Sequence, residues 1–555
     1  MAAVQSAASG NGRGSAVRNS ILIGLALAML HGYFASIYID HLPLYDEMYH
    51  MLAAESWRTS GELRILDGEY LRAPLFTKLV GLSANICGPS LECARGISVA
   101  ASVLLVFLVT VFAGIAMHPA VGFFAGLLVA ANPAVIEMAQ IVRFYSLHAL
   151  IFFLFAALVF ILTAHWRRLA TWQILSFAGL AMVLLWFSNH LQVLTQVGLL
   201  GVILGAATIL APDWYGWFRR RNLWAKGLLI SIVLAALALG ALILDIEGKL
   251  QALQSVPLWA KARVHETFFY HNALKAWFPV LWPMMAILAV LSIARWPRLS
   301  IYSLVVFVSS LIVLSVAAHK GERFLLYALP FLFLPMAAGI TTGLQLFIDF
   351  LGQRIRELSG WQAGHPLIAP ALGAIVAGTL LLFAINQPIA RDAARMVASS
   401  GPTSVFNHYS NVADWPSALD EIRQALNKYP VVLTSSGVKA AYYLGDFSFE
   451  LNRSVLLETD TGAEFGLDPR TGRQVIASIE SVLRVARECG PTLVIVDQQH
   501  FRHEETLTAL DGLAIRQNPA ANLLTWEIDP ANAVANDTHA DSFDREPLDC
   551  RPMAL

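Results

Sequence analysis

Apolar runs separated by short polar breaks dominate the first 390 residues of this 555-residue chain. A helix rises about 1.5 Å per residue, so crossing about 30 Å of hydrocarbon takes about 20 apolar residues. Stretches of that kind lie near 20–38, 97–117, 120–137, 146–164, 172–189, 192–211, 226–244, 277–294, 300–318, 323–345 and 367–387. The pattern predicts a polytopic α-helical membrane protein with about 11 transmembrane helices over 20–390, after a polar segment at 1–19. The first run reads as a span and not as a cleaved signal. It is long, lacks an Ala-X-Ala site and runs into Tyr33, Phe34 and Tyr38 at the membrane edge.

From 391 onward the period changes. Strand-like runs at 430–435, 454–458, 492–497 and 523–528 alternate with helical patterns at 415–428, 473–488 and 503–511. Alternation of this kind predicts a C-terminal soluble α/β domain over 391–529 with a partly parallel sheet. No glycine-rich phosphate loop follows any of these strands, which argues against a nucleotide site there. Residues 530–555, rich in Asp, Ala, Asn and Pro, read as a disordered tail.

Composition agrees with a divided chain. Hydrophobic residues make up 57% and charged residues only 14%, where soluble proteins carry about 25% charged. Mean hydropathy is +0.59. Residues 391–555 hold 14 Lys/Arg against 23 Asp/Glu, whereas the first 390 hold 24 against 16. The near-neutral total of -1 argues against a nucleic-acid partner, which needs a basic face.

Basic loops stay on the cytoplasmic side. With 1–19 cytoplasmic, the loops on that face carry twelve bases, Arg219–Arg221 among them, against three acids. Eleven crossings then put the tail domain outside the cytoplasm, in the periplasm if the membrane is a Gram-negative inner membrane. Long outer loops at 39–96 and 245–276 share that face. In the first, YDEMYHMLAAESWRTSG reads as an amphipathic helix with Met48, Leu52 and Trp57 on one side, lying along the membrane surface.

Charges at membrane edges are expensive, so each one invites a functional question. The short outer loops contain three cations, Arg143 in QIVRFYS and Lys320 and Arg323 in HKGERF. Such cations suit a phosphate, although snorkelling or pairing with Glu137 and Glu322 is the ordinary reading of each alone. Asp46 and Glu47 stand side by side just after the first span. Either could serve as general base or metal ligand, or simply favour a helix N-terminus. Adjacent helix residues point about 100° apart, so one of the two faces the site.

His31, His41, His50, His190, His265, His271 and His319 cluster toward the outer side, with no HExxH spacing, and most read as hydrogen-bonded residues. Tyr49, Arg72, Tyr145, His190, His271 and His319 are candidate substrate-lining residues. Cys87 and Cys93 are placed to form a disulfide across the Gly88–Pro89 turn, while Cys489 and Cys550 read as unpaired.

The order of these features resembles a known family. Asp46, Glu47 and Tyr49 after the first span, Ser60-Gly61, LRAPLF at 71–76, Arg95, RFYSL at 143–147 and HKGERFLLYALPFL at 319–332 are similar to the GT-C membrane glycosyltransferases. Within them the likeness is to the protein O-mannosyltransferase-like group, which includes the bacterial lipid A aminoarabinose transferases, and it covers about 20–345. The resemblance implies a transferase that uses a polyprenyl-phosphate-linked sugar. It implies that Asp46 activates the acceptor or acts through a metal, and that Arg143, Lys320 and Arg323 bind the donor phosphate. A divalent cation, Mg or Mn, is optional in this scheme. Pro74 takes a structural role, and Ala73 stands where the family has a second proline.

A phosphate-lipid donor requires an apolar groove, cations and a carboxylate at one depth of the outer leaflet, and the chain offers all three. The alternative is a transporter or flippase, which would show internal repeats and midplane charges. Here the charges lie at span ends and no repeat is found. An oligosaccharide polymerase or ligase would share the donor but is not expected to carry an Asp-Glu pair after the first span. The acceptor class, whether glycan, lipid or protein, stays open.

Overall fold

The computed structural model describes residues 10–37, 39–219, 266–317, 320–359, 412–452, 465–498, 503–531 and 548–551, with single positions between 388 and 398 and at 501 and 553. Two compact units emerge. One contains the chain up to Ile39 and the helices from Arg95 on; the other joins Asp40–Ala94 to the tail from Asn407. The first outer loop thus shares a unit with the tail domain.

In the first unit, seven helical stretches among the described residues are long and apolar enough to cross a membrane. They are α1 (Gly10–Ser36), α4 (Leu91–Ala116), α7 (Tyr145–His165), α8 (Thr171–Leu191), α9 (Thr195–Arg219), α12 (Pro297–Val316), and a 3-10 turn at Glu322–Ala328 that runs on into α13 (Leu329–Ser359). Two expected spans, 226–244 and 367–387, fall outside the described residues, as do 245–265 of the second outer loop.

Proline changes two of the others. The run at 120–137 is not one straight span: α5 (Pro119–Ala130) and α6 (Pro133–Ala139) are bent by 61°. Pro133 cannot donate back into α5, and Asn132 caps the new helix by accepting from the N–H of Ala134 at 2.9 Å. The run at 277–294 is likewise broken. Pro279 and Pro283 separate α10 (Phe269–Trp277) from the short α11 (Met285–Arg295).

Small residues let these helices approach: a Cβ on Gly122 would stand 2.5 Å from the Thr110 carbonyl oxygen of α4. His31, fully buried, ties α1 to both neighbours. Its Nδ1 donates to the Ala130 carbonyl at 2.9 Å, so Nε2 accepts from the Ser102 hydroxyl at 2.7 Å. That is the core role expected of most of these histidines.

The second unit is built on a seven-stranded sheet in the order β5-β6-β4-β3-β7-β9-β8. Its strands are β3 (Val431–Thr434), β4 (Phe449–Leu451), β5 (Phe465–Leu467), β6 (Gln474–Ile476), β7 (Thr492–Asp497), β8 (Arg516–Ala520) and β9 (Leu523–Ile528). The strands β6, β4, β3 and β7 are parallel; β5 and β9 run against them, and β8, antiparallel to β9, runs with them again. Helices α14 (Trp415–Leu426), α15 (Gly437–Leu444), α16 (Ile479–Cys489) and α17 (Glu504–Leu513) connect them. The strand expected at 454–458 lies outside the described residues, and the helix expected from 473 begins at Ile479, after β6.

In such sheets ligands enter where the strand order reverses, at the carboxyl ends of the central strands. Here that point, between β3 and β7, holds the chain's own groups. Lys439 and Asp497 form a buried ion pair, and Trp415 Nε1 donates to the same carboxylate at 3.4 Å.

Two expectations about the tail are corrected. Cys489 and Cys550 form a disulfide, and Cys87 and Cys93 form another. The chain end is therefore not loose throughout. Leu548 packs on the sheet core, and the Met553 N–H donates to the Pro430 carbonyl at 2.9 Å.

The outer loop contributes α2 (Tyr45–Ser60), the hairpin β1 (Arg64–Ile65) and β2 (Gly68–Glu69), and α3 (Pro74–Cys87). Gly61, at φ +82°, closes α2 by donating to the Trp57 carbonyl. The helix does not spend Met48 and Leu52 on a membrane surface. Met48, Tyr49 and Ala53 pack with Ile65, Tyr70 and Val438 of α15, with Leu52 against the same cluster.

Candidate functional site

In the membrane unit, the bend at Pro133 turns α6 so that Glu137 is buried at 4% exposure, followed by buried Gln140 and Arg143. The loop to α7 is pinned from both sides: Gln140 Nε2 donates to the Phe34 carbonyl at 3.2 Å, and the Ser98 hydroxyl donates to the Arg143 carbonyl at 3.1 Å. Tyr145 opens α7, and two guanidinium groups approach its ring. Arg143 lies 5.4 Å from the ring centre and Arg323, from the 3-10 turn, 5.9 Å. Each also approaches the phenylalanine that follows it, Phe144 at 5.6 Å and Phe324 at 5.5 Å. Such cation–π contacts hold each guanidinium group against an aromatic ring.

Glu137 lies within electrostatic reach of Arg323 and Glu322. One of its carboxylate oxygens, the Gln140 side-chain oxygen and Arg323 Nε have no hydrogen-bond partner among the described residues. A buried polar atom without a partner costs about 1–3 kcal/mol, so such atoms ordinarily meet water or a ligand.

In the second unit, the two adjacent acids take different places. Glu47 is fully buried, and its Oε2 accepts from the Leu44 N–H at 2.7 Å, completing a helix cap. Asp46 is half-buried one position before it. The same turn is clamped by the tail. The Tyr45 and Tyr49 hydroxyls are 2.9 Å apart, Tyr49 stacks on Tyr70 at 5.6 Å and 9°, and the Arg470 guanidinium lies 5.2 Å from the Tyr49 ring. Buried Asp468 holds Arg470 by accepting from its backbone N–H and its Nε, both at 3.0 Å. The β1–β2 turn interlocks with this loop. A Cβ on Gly68 would meet the Arg470 carbonyl carbon at 2.4 Å, Asp67 N–H donates to the Thr471 carbonyl at 3.1 Å, and Arg473 Nη1 donates to the Asp67 carboxylate at 2.7 Å.

Glu450, 1% exposed on β4, belongs to this cluster. Burial, reinforced by the charge of Asp468, pushes its carboxyl up to about 7. The folded protein therefore keeps a proton that the unfolded chain loses at the ordinary carboxylate value. Stability of this unit should be complete below that value and fall as pH rises toward about 7, by about 3 kcal/mol at roughly 1.4 kcal/mol per pH unit. Glu450→Gln should abolish the slope, read as the pH dependence of hydrogen exchange in β4; an unchanged slope would assign it to another group.

Solved structures decide what this architecture is. The chain is similar to ArnT from Cupriavidus metallidurans bound to undecaprenyl phosphate, with a TM-score of 0.58 and 14% identity over 91% of this chain and 97% of that one. It is also similar to the archaeal oligosaccharyltransferase AglB from Archaeoglobus fulgidus in complex with an inhibitory peptide and a dolichol-phosphate, with a TM-score of 0.50 and 13% identity over 90% of this chain and 70% of that one. This is the GT-C fold. No protein-family model matches the sequence, and no curated protein sequence matches it.

Within the GT-C fold, the structure brings Arg143, Tyr145 and Arg323 together in one unit and Asp46, Glu47 and Tyr49 together in the other. Lys320 is engaged by backbone: its ammonium donates to the Ser315 and Ala317 carbonyls at 2.8 and 2.7 Å, closing the end of α12. His190 bonds to the Trp186 carbonyl of its own helix at 2.9 Å, and His271 accepts from Trp282 Nε1 at 3.1 Å. Arg72 is exposed, and His319 lies outside the described residues. Arg95 is buried and donates to the Ile39 carbonyl at 2.7 Å. Ala73 has φ +47°, which a proline ring cannot adopt.

Among the described residues no three His, Cys, Asp or Glu side chains gather in a group that could hold a metal ion. Glu137 and Arg470 are the residues that sequence reasoning passed over as site components. The bend signal Asn132-Pro133 was available for the first; the second meets Tyr49 across more than 400 residues and has no local signal.

Proposed function

We propose that the protein is a membrane glycosyltransferase that moves a sugar from a polyprenyl-phosphate-linked donor to an extracytoplasmic acceptor. The observation that carries this reading is the pair of guanidinium groups flanking Tyr145 beside a buried carboxylate. The structures it resembles support it, since one is bound to undecaprenyl phosphate and another to a dolichol-phosphate.

In this reading Arg143 and Arg323 hold the donor phosphate, and the open oxygen of Glu137 accepts from a sugar hydroxyl. Asp46 takes the proton of the acceptor hydroxyl or amine as its oxygen or nitrogen bonds to the anomeric carbon. The bond from that carbon to the phosphate oxygen breaks, and the electron pair leaves on the phosphate, where the two guanidinium groups stabilise the charge. Glu47 caps α2, and Lys320 closes α12. The reaction belongs to the outer face of the inner membrane, as the distribution of basic loops suggests.

Binding of undecaprenyl phosphate to the purified full-length chain tests the phosphate assignment. A charge-assisted hydrogen bond is worth about 1.5–3 kcal/mol, so Arg143→Ala and Arg323→Ala should each weaken binding roughly tenfold to a hundredfold. Unchanged affinity in both variants would assign these residues to ordinary lipid headgroups.

A further inference from the structure

A short loop of the tail domain reaches the first turn of α2. Residues 468–473 join the antiparallel strands β5 and β6, and the loop closes on itself: the Asp468 N–H donates to the Arg473 carbonyl at 3.0 Å, and the Gly472 N–H donates to the Asp468 carbonyl at 2.7 Å. Gly472 sits at φ +69°, where an added Cβ would stand 2.7 Å from Asp67 of the β1–β2 turn. The position thus needs the conformation of glycine and leaves no space for a side chain. One oxygen of buried Asp468 accepts from both the backbone N–H and the Nε of Arg470, so loop and guanidinium are held as one piece.

That piece is aimed at Tyr49, with the guanidinium 5.2 Å from the ring centre. Tyr49 follows Asp46 by three positions, and residues i and i+3 are neighbours on a helix surface. Stacking on Tyr70 and the 2.9 Å bond to the hydroxyl of Tyr45, which immediately precedes Asp46, fix the same ring further. The roll of the α2 turn is therefore set at Tyr49, and the roll decides where the Asp46 carboxylate points. Folding of the unit rests on other contacts. The Arg470 side chain is 41% exposed, whereas Met48 and Tyr49 pack with Ile65, Tyr70 and Val438 in a buried cluster. A cation–π contact at a part-exposed site adds little to stability.

We propose that Arg470 is a positioning residue for sugar transfer, fixing Tyr49 from the tail domain and through it the turn of α2 that presents Asp46. The inference rests on the reading of Asp46 as the general base. It gives the tail domain a part in the chemistry, since a displacement of about 1 Å at a reacting group can cost about a hundredfold in rate.

The test compares Arg470→Ala, Arg470→Lys and Asp46→Asn in the full-length chain. Transfer is read in cells as the one-sugar mass increment on envelope glycans, glycolipids and glycoproteins, per amount of chain, and affinity for undecaprenyl phosphate is read on the purified chain. Arg470→Ala should lower transfer about tenfold to a hundredfold, with affinity for undecaprenyl phosphate unchanged within a factor of about two. Arg470→Lys, which keeps a cation for the Tyr49 ring, should restore part of the loss. Hydrogen exchange over residues 47–50 should quicken at least about tenfold in Arg470→Ala, while β3 and β7 keep their native protection. Parallel loss of transfer and of undecaprenyl phosphate affinity, or loss of protection in β3 and β7 as well, would make Arg470 merely structural and overturn the proposal. Native transfer in Arg470→Ala beside lost transfer in Asp46→Asn would overturn this inference alone, whereas native transfer in Asp46→Asn would overturn the reading beneath it too.

Discussion

Asp46→Asn should lower sugar transfer about 10²–10⁴-fold, the usual contribution of a positioned general base, while leaving the affinity for undecaprenyl phosphate unchanged within a factor of about two. The substitution keeps the size of the side chain but removes its negative charge and replaces one acceptor oxygen by an NH2 donor, so the group can no longer take a proton. Its neighbour is the natural control. Glu47 has committed Oε2 to the Leu44 N–H, and a glutamine can make the same cap. Glu47→Gln should therefore retain most of the rate. Full activity in Asp46→Asn, or equal loss in both variants, would remove Asp46 from its role.

Breaking the Cys489–Cys550 bridge should destabilise the second unit by about 4 kcal/mol, since a cross-link spanning a loop of 61 residues removes that much chain entropy from the unfolded state. Contacts of the chain end depend on the bridge. The Ser448 hydroxyl donates to the Arg551 carbonyl at 2.7 Å, and Arg551 pairs with Asp67 of the β1–β2 turn. The double variant Cys489→Ser, Cys550→Ser should thus lower the denaturation midpoint of the second unit and raise proteolysis after Arg551, both read on the full-length chain. A change under about 1 kcal/mol would mean that the packing of Leu548 and Met553 holds the end without the bridge.

The membrane helices were legible because twenty apolar residues in a row leave one solution in lipid, and the sheet domain because its strands and helices alternate in period. Breaks within spans were harder to read. Pro133, Pro279 and Pro283 interrupt runs whose hydropathy alone reads as continuous. Short strands such as Phe449–Leu451 carry too few residues to show a period. Long-range pairings were invisible for a different reason. Nothing near Cys550 announces Cys489, and nothing near Arg470 announces Tyr49. The amphipathic face of α2 read as a membrane-surface face, yet Met48 and Tyr49 pack with Ile65, Tyr70 and Val438, contacts that the local pattern does not announce. Of the candidate site, Arg143, Arg323 and Asp46 stood out as charges at membrane edges, whereas Glu137 first read only as a neighbour for the cations.

The central claim is that a polyprenyl-phosphate-linked sugar is consumed by a reaction that needs Asp46. Mass spectrometry of envelope glycans, glycolipids and glycoproteins, together with the polyprenyl-phosphate-sugar pool, tests it in cells carrying the native chain, Asp46→Asn or no copy. Asp46→Asn and the deletion should lose the same one-sugar mass increment from one acceptor, and the matching lipid-linked sugar should accumulate in both. Identical acceptor and lipid profiles in all three strains would contradict the account.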